Sequence, residues 1–289
     1  MSAARSLEIR APRRRAGAAS TRLMAGPPIA PIVRDDYVSP ASFGIRTWQA
    51  VQAADLDGGA CGDRALTLLL DSGRTAAVLL DIAGHGPKRA ELSSAVAEVI
   101  VSSLVSDQSP AVALGCADRT LRTSDAEFPY ALAFLAIVHP VLRTVVYASA
   151  GQDCAFVLGR DKHIRSLPPT APMLGIPLTL NPCDALFYLE PTETLIIATD
   201  GISESRPPGS VAFFGVAGVA HAVAGSLRSG DDPALGVLEG ARVHAGGKLA
   251  DDAAVVVISL TPVTGKGRLP AEPRSATTLR KIAPKMTSF

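Results

Sequence analysis

Aromatic side chains are scarce in this 289-residue chain, at 4% with a single tryptophan. Aliphatic residues and alanine must therefore fill the interior. The 47% hydrophobic content is ample for one large domain or two small ones. Cysteine is sparse as well. Cys61, Cys116, Cys154 and Cys183 are widely spaced and include no CxxC pair. That argues against a metal knuckle or a redox pair and makes reduced cytosolic thiols the default. No apolar run reaches the length of a membrane span, and the arginine-rich N-terminus lacks a signal-peptide hydrophobic segment. A cytoplasmic protein with no membrane partner is expected.

Net charge is also nearly absent, at +1, but this conceals an asymmetry. Residues 1–34 carry seven Arg and one Glu, and residues 262–289 carry six Lys or Arg and one Glu. The stretch 35–261 holds 15 basic and 25 acidic residues, a net of −10. So acidic a middle argues against nucleic acid as a ligand. The expected organisation is a flexible basic segment 1–40, a domain 41–261 and a flexible basic tail 262–289.

What is present in quantity is strand signal. "FGIRTWQAVQA" (Phe43–Ala53) reads as a strand, with Trp48 as its core anchor. "RALTLLLD" and "RTAAVLLD" read as a hairpin joined through "DSGR". Lys88–Val105 places Ala90, Leu92, Ala95, Val96, Val99 and Ile100 at helical spacing, with Pro87 where a first turn tolerates it. Ser109–Ser124 reads as a second helix. A β-rich block follows, opening on the hairpin "YALAFLAIVHP" and "RTVVYASAG" and continuing to "ETLIIATDG". Helices over Val216–Leu227 and Pro233–Ala245 precede the last strand, "DDAAVVVISL". Strands do not alternate singly with helices. Two antiparallel sheets packed face to face, with helices outside, fit this order.

Several strand ends carry aspartate: Asp63 in "CGDRAL", Asp81 in "LLDIAGHG", Asp200 in "IIATDGIS", and the pair Asp251 and Asp252 in "LADDAAVVVI". Each alone is an ordinary turn residue. Together they suggest a hard divalent cation or a shared proton, because gathered carboxylates repel by roughly 4 kcal/mol per pair at about 4 Å and a bound ion removes that cost. The glycines nearby let the backbone approach a ligand closely.

In this order and spacing, "CGD…DIAGHGPKRAELS…YASAGQ…PMLGIPL…ATDGISESR…DDAAVVVISL" resembles the bacterial PP2C-type, SpoIIE-like serine phosphatases. The resemblance covers roughly Phe43 to Leu260. It implies an α+β fold, the PP2C-like α/β/β/α sandwich of two antiparallel sheets flanked by helices. It also implies an Mg²⁺- or Mn²⁺-dependent protein serine/threonine phosphatase with two ions. Asp81 would bridge them, the carbonyl of Ile82 would join one, and Asp200 and Asp251 would complete the second set. Asp63 would belong to the metal site and to catalysis by holding the metal-bound water network, and Gly201 and Asp252 would sit just behind, Asp252 orienting water. The implied substrate is a phosphorylated regulatory partner, a STAS-domain antagonist or scaffold protein. Two other readings stay open: a catalytically weak module of the same fold that sequesters a partner, and a metallophosphoesterase for small molecules.

The match has departures. Leu66 stands where many relatives carry a second Asp, which brings the chain closer to the short phosphatases of stressosome modules. Gln152 replaces the His of the common "ASAGH", and Ala253 and Ala254 replace a frequent Thr. His85 is open to two roles, general acid toward the serine leaving group or cap of the following helix. Cys61, beside the presumed site, reads as a buried structural thiol or an oxidation-sensitive one. "SRPPGS" near Arg206 reads as a substrate-selecting flap or a plain linker. No Ser-His-Asp or cysteine-centred arrangement stands out as a nucleophile.

Overall fold

The computed structural model describes residues 43–54, 61–84, 86–126 and 129–263. The expected basic segment 1–40 and residues 264–289 of the tail lie outside them, as does His85. Ten strands make two five-stranded sheets. The first sheet has the order β1 (Phe43–Gln52), β10 (Ala253–Pro262), β9 (Thr194–Ala198), β6 (Ala155–Leu158), β7 (Ile164–Ser166). The second runs β2 (Arg64–Leu69), β3 (Thr75–Ile82), β4 (Ala131–His139), β5 (Thr144–Ala150), β8 (Ala185–Tyr188). Every ladder between these strands is antiparallel.

The three apolar clusters explain the layering. Ala77, Leu79, Phe134, Tyr147, Val157, Ile197 and Val256 interdigitate between the sheets. On the outer face of the second sheet, Val78, Leu80 and Leu135 meet Val96, Ile100 and Leu114 of α1 (Pro87–Val105) and α2 (Pro110–Arg122). On the outer face of the first, Phe156, Ile196 and Val255 meet Val219, Val223 and Val237 of α4 (Gly215–Ser229) and α5 (Pro233–His244). The central strands β3 and β10 are buried on both faces and read as unbroken apolar runs rather than alternating ones. Phe134 stacks on Tyr147 with centroids 5.1 Å apart, so the few aromatics sit mid-core.

The expected hairpins form as β2–β3 and β4–β5, the first turning through a 3₁₀ turn at Asp71–Gly73. Helix bounds differ from the expected ones by one or two residues. Ser109 is the cap of α2, its hydroxyl accepting from Val112 N at 3.4 Å, and Asp232 caps α5 by accepting from Ala234 N and Leu235 N. One helix was not foreseen. Asp200–Ser203 closes a single turn, α3, where the sequence suggests only a loop. Trp48 is partly buried, under α5 rather than mid-core, with Arg46 5.3 Å from its ring. Among the described residues no helix is long and apolar enough to cross a membrane.

Candidate active site

All five aspartates flagged in the sequence reach one pocket of about 270 Å³. Asp63 precedes β2 and Asp81 ends β3, both in the second sheet. Asp200 follows β9, and Asp251 and Asp252 precede β10, in the first. The pocket therefore straddles the two sheets at one end. Ile82, Ala83 and Gly84 supply its backbone edge, and Tyr130, Leu132 and Met173 form a wall that no sequence motif announces.

Two contacts bring the separate strand ends together. Thr199 N donates to Ala254 O at 2.9 Å, and Ala254 N donates to Thr199 Oγ1 at 2.9 Å, fastening β9 to β10 just inside the acids. Gly201 then lies against the Asp251–Asp252 backbone. A Cβ there would fall 1.8 Å from Asp252 O, so the "DG" pair is a packing requirement as well as a turn. Gly62 has a similar role. A Cβ on it would meet Ile82 O at 3.3 Å and Asp252 Oδ2 at 3.5 Å.

Asp252 is buried, and both of its oxygens are occupied. Oδ1 accepts from Ala54 N at 2.8 Å and Oδ2 from Gly62 N at 2.5 Å. It ties the end of β1 and the Asp63 loop to the start of β10. Its neighbour Asp251 accepts from Asp252 N through Oδ1 at 2.8 Å. Arg64, adjacent to Asp63, adds a second tie. Its guanidinium donates to the carbonyls of Cys61 (2.7 Å) and Asp63 (2.8 Å) from Nη1, and to Ala90 O and Ser94 Oγ (both 2.9 Å) from Nη2. The acid-bearing loop is thereby pinned to the first turns of α1. Nothing in the sequence marks this arginine.

The far wall is built by the remaining motifs. Gly151 of "ASAG", at φ 69°, donates to Ala171 O, and Ala131 and Leu174 exchange backbone bonds across the "PMLG" loop. Gly175 N donates to buried Asp118 Oδ1 at 2.8 Å, which anchors that loop on α2. Gln152, in the place of the common His, is buried and donates to Ala198 O at 2.5 Å, so it supports β9 from below Asp200. Leu66, in the place of a frequent Asp, packs toward the core under α1 and contributes no charge.

Burial raises the proton affinity of the acids. Asp63 is pushed up to about 9, mainly by burial and then by the charge of Asp81, with the Thr199 hydroxyl pulling the other way. Asp81 is pushed up to about 7, by burial and then by Asp200 and Asp251. Asp200 is raised too, mainly by burial. Among the described residues, the charges that act most strongly on Asp63 and Asp81 belong to other carboxylates. Asp63 Oδ2 is buried without a hydrogen-bond partner. Among the described residues no three acidic, His or Cys side chains stand close enough to ligate one ion as placed. An all-oxygen donor set and a spare buried oxygen suit a hard divalent ion. The thiol of Cys61 is pushed up to about 12, by burial and then by Asp252 and Asp63, so it stays protonated and unreactive.

The family model described as Stage II sporulation protein E (SpoIIE) matches residues 71–261. No curated protein matches the chain in sequence. Among solved structures, the PP2C phosphatase domain and regulatory-domain fragment of SpoIIE from Bacillus subtilis gives a TM-score of 0.66 at 20% identity, covering 78% of this chain and 66% of that one. The RsbU and RsbW domains of Rv1364c from Mycobacterium tuberculosis give 0.65 at 22%, covering 78% and 62%. RsbX in complex with magnesium gives 0.54 at 15%, covering 75% and 96%. The chain thus spans just under two thirds of the first two. These neighbours share its two antiparallel sheets between helices. With a family match over more than half its length, the chain belongs to the SpoIIE family, and its two antiparallel sheets between helices are the PP2C fold of these neighbours.

Proposed function

We propose that this chain hydrolyses phosphoserine or phosphothreonine on a regulatory protein, with Asp81, the carbonyl of Ile82, Asp200 and Asp251 holding two Mn²⁺ or Mg²⁺ ions. The observation that carries the reading is the convergence of aspartates from both sheets on one pocket, where other carboxylates are the main charges acting on Asp63 and Asp81 among the described residues. Bound there, the ions would neutralise the phosphoryl oxygens and activate water for attack on phosphorus.

The chain's own residues supply the rest. Asp63, through its unpartnered Oδ2, would accept a hydrogen bond from the attacking water once bound cations keep its carboxyl ionised. Tyr130, Leu132 and Met173 close the pocket on one side and limit the approach of bulk water. Asp252 keeps the Asp63 loop in position from behind, through its two amide contacts. Attack by water needs no covalent intermediate.

Support for a regulatory partner comes from a neighbour that joins an RsbU domain to an RsbW domain and from another described as part of the bacterial stressosome. A phosphorylated STAS-type protein is the substrate we infer. The four cysteines are all free, which supports a reducing compartment, the cytoplasm. The test is hydrolysis of a small phosphate ester and of a phosphoserine protein, with and without Mn²⁺, by wild type, Asp81→Asn and Asp200→Asn. Both substitutions should lower turnover about a hundredfold or more. Equal rates in all three proteins would overturn the assignment, and turnover of the ester alone would redirect it to small molecules.

A further inference from the structure

We propose that a second groove, opening from the active-site pocket, binds the polypeptide flanking the phosphoserine and favours an acidic residue there. The assignment of the pocket to the phosphoryl group rests on the function proposed above, whereas the groove stands on its own geometry. At about 270 Å³ the pocket takes a phosphoseryl head and little more. A cavity of about 590 Å³ lies between residues 204–209, after α3, and residues 245–250, before β10. Asp200 and Asp251 line both, so the two are continuous. A protein that delivers its phosphate to the pocket must lay its neighbouring residues somewhere on the adjoining surface, and this groove has the volume for them.

The groove's lining carries two cations, Arg206 and Lys248, against three carboxylates, of which Asp200 and Asp251 are shared with the pocket, and the cations select the occupant. Arg206 and Lys248 line it, and neither has an ion-pair partner among the described residues. In a region of net −10, two unpaired cations at one opening form a receptor for a carboxylate. The Arg206 guanidinium lies 4.8 Å from the centroid of the Phe213 ring, which limits the orientations of its donor fork. The one acid that lines only the groove, Glu204, sits toward the pocket end, where its charge acts on Asp200. Ser205 is buried in the groove's lining with its hydroxyl unpartnered, so hydrogen-bonding capacity there is unused by the fold.

The wall is also preformed. Phe214 N donates to Ser205 O at 2.9 Å, Ser210 N donates to Pro207 O at 3.0 Å, and His244 Nε2 bonds Ala212 O at 2.9 Å. The stretch that reads as a flap or a linker in sequence is fastened at both ends, which lowers the ordering cost of binding a peptide.

The experiment compares wild type with the double variant Arg206→Ala/Lys248→Ala on three substrates with Mn²⁺. These are p-nitrophenyl phosphate, a neutral phosphoserine peptide, and the same peptide with one Glu stepped along either side of the phosphoserine. Wild type should prefer a Glu peptide over the neutral one by about tenfold in kcat/KM at low salt, and the double variant should lose that preference. The ratio of Glu-peptide to small-ester kcat/KM should fall by the same factor. An unchanged preference in the variant, or no preference in wild type at any position, would overturn the proposal. Fluorescence anisotropy of a labelled, unphosphorylated Glu peptide reads the groove without turnover. Tenfold weaker binding by the double variant upholds the groove even where hydrolysis fails, and equal binding by both proteins discards it.

Discussion

Asp251 and Asp252 are adjacent in the chain and both line the pocket, yet their surroundings differ. Backbone amides occupy both oxygens of Asp252, and a carboxylate so held is committed to the fold. Asp63 and Asp81 are the reverse case. Their folded pKa values lie well above those of an unfolded chain, so the ionised forms are disfavoured in the native state. For a raised carboxylate the sign is definite. The native state gains most from these two groups below about pH 4, and that gain is lost as pH rises through about 7 for Asp81 and about 9 for Asp63. In chelator, the protein should therefore melt at a lower temperature at pH 8 than at pH 5.5. Asp81→Asn should recover about 1–3 kcal/mol at pH 8 while abolishing hydrolysis. Thermal melts of both proteins in EDTA at the two pH values check this, and a variant less stable than wild type at pH 8 contradicts it. At this scale the sequence was informative where an acid interrupts an apolar run, as at Asp81 and Asp200. The separation of Asp251 from Asp252 came from the family resemblance and not from the residues themselves, because which carboxylate meets an amide depends on residues nearly 200 positions away.

Among the elements, α1 has a role beyond covering the second sheet. Through Arg64 it holds the loop that carries Asp63, with two bonds to the loop's carbonyls and two to the helix. Hydrogen bonds from a charged donor contribute about 1.5–3 kcal/mol each, and the planar fork that reaches all four acceptors is particular to arginine. Arg64→Lys should therefore fail to rescue Arg64→Ala. Both should weaken Mn²⁺ activation, raising the concentration for half-maximal activity about tenfold, while the helical content of the protein stays the same. Titrating activity against Mn²⁺, with circular dichroism as control, separates this from general unfolding. Wild-type activation in both variants would remove Arg64 from the site's support. The hairpins β2–β3 and β4–β5 could be read from sequence because their strands are adjacent and their turns carry Gly, Pro or Asp. The pairing of β1 with β10 could not, since the two strands lie about 200 residues apart in the chain and no turn between them signals it. The contact of Arg64 with Ala90 is hidden for a similar reason.

On the scale of the whole molecule, the site is a seam. Asp63 and Asp81 belong to one sheet and Asp200 and Asp251 to the other, and the apolar layer between the sheets ends where these acids begin. Like charge across that seam opposes its closing, and a divalent ion held there as proposed would reverse the sign. Binding that is specific to the native state stabilises by RT ln(1 + [ion]/Kd), about 2.7 kcal/mol at a hundredfold excess over Kd. For a domain of this size that corresponds to a rise of several degrees in melting temperature. Because the ion would couple two sheets, the gain should be cooperative and depend on acids from both. Asp81→Asn, from one sheet, and Asp200→Asn, from the other, should each remove most of the Mn²⁺-dependent shift. Amide hydrogen exchange should slow on Mn²⁺ addition at the pocket ends of β3 and β9 together. If one substitution abolishes the shift and the other leaves it whole, the ion sits on a single sheet and the seam is not what it closes.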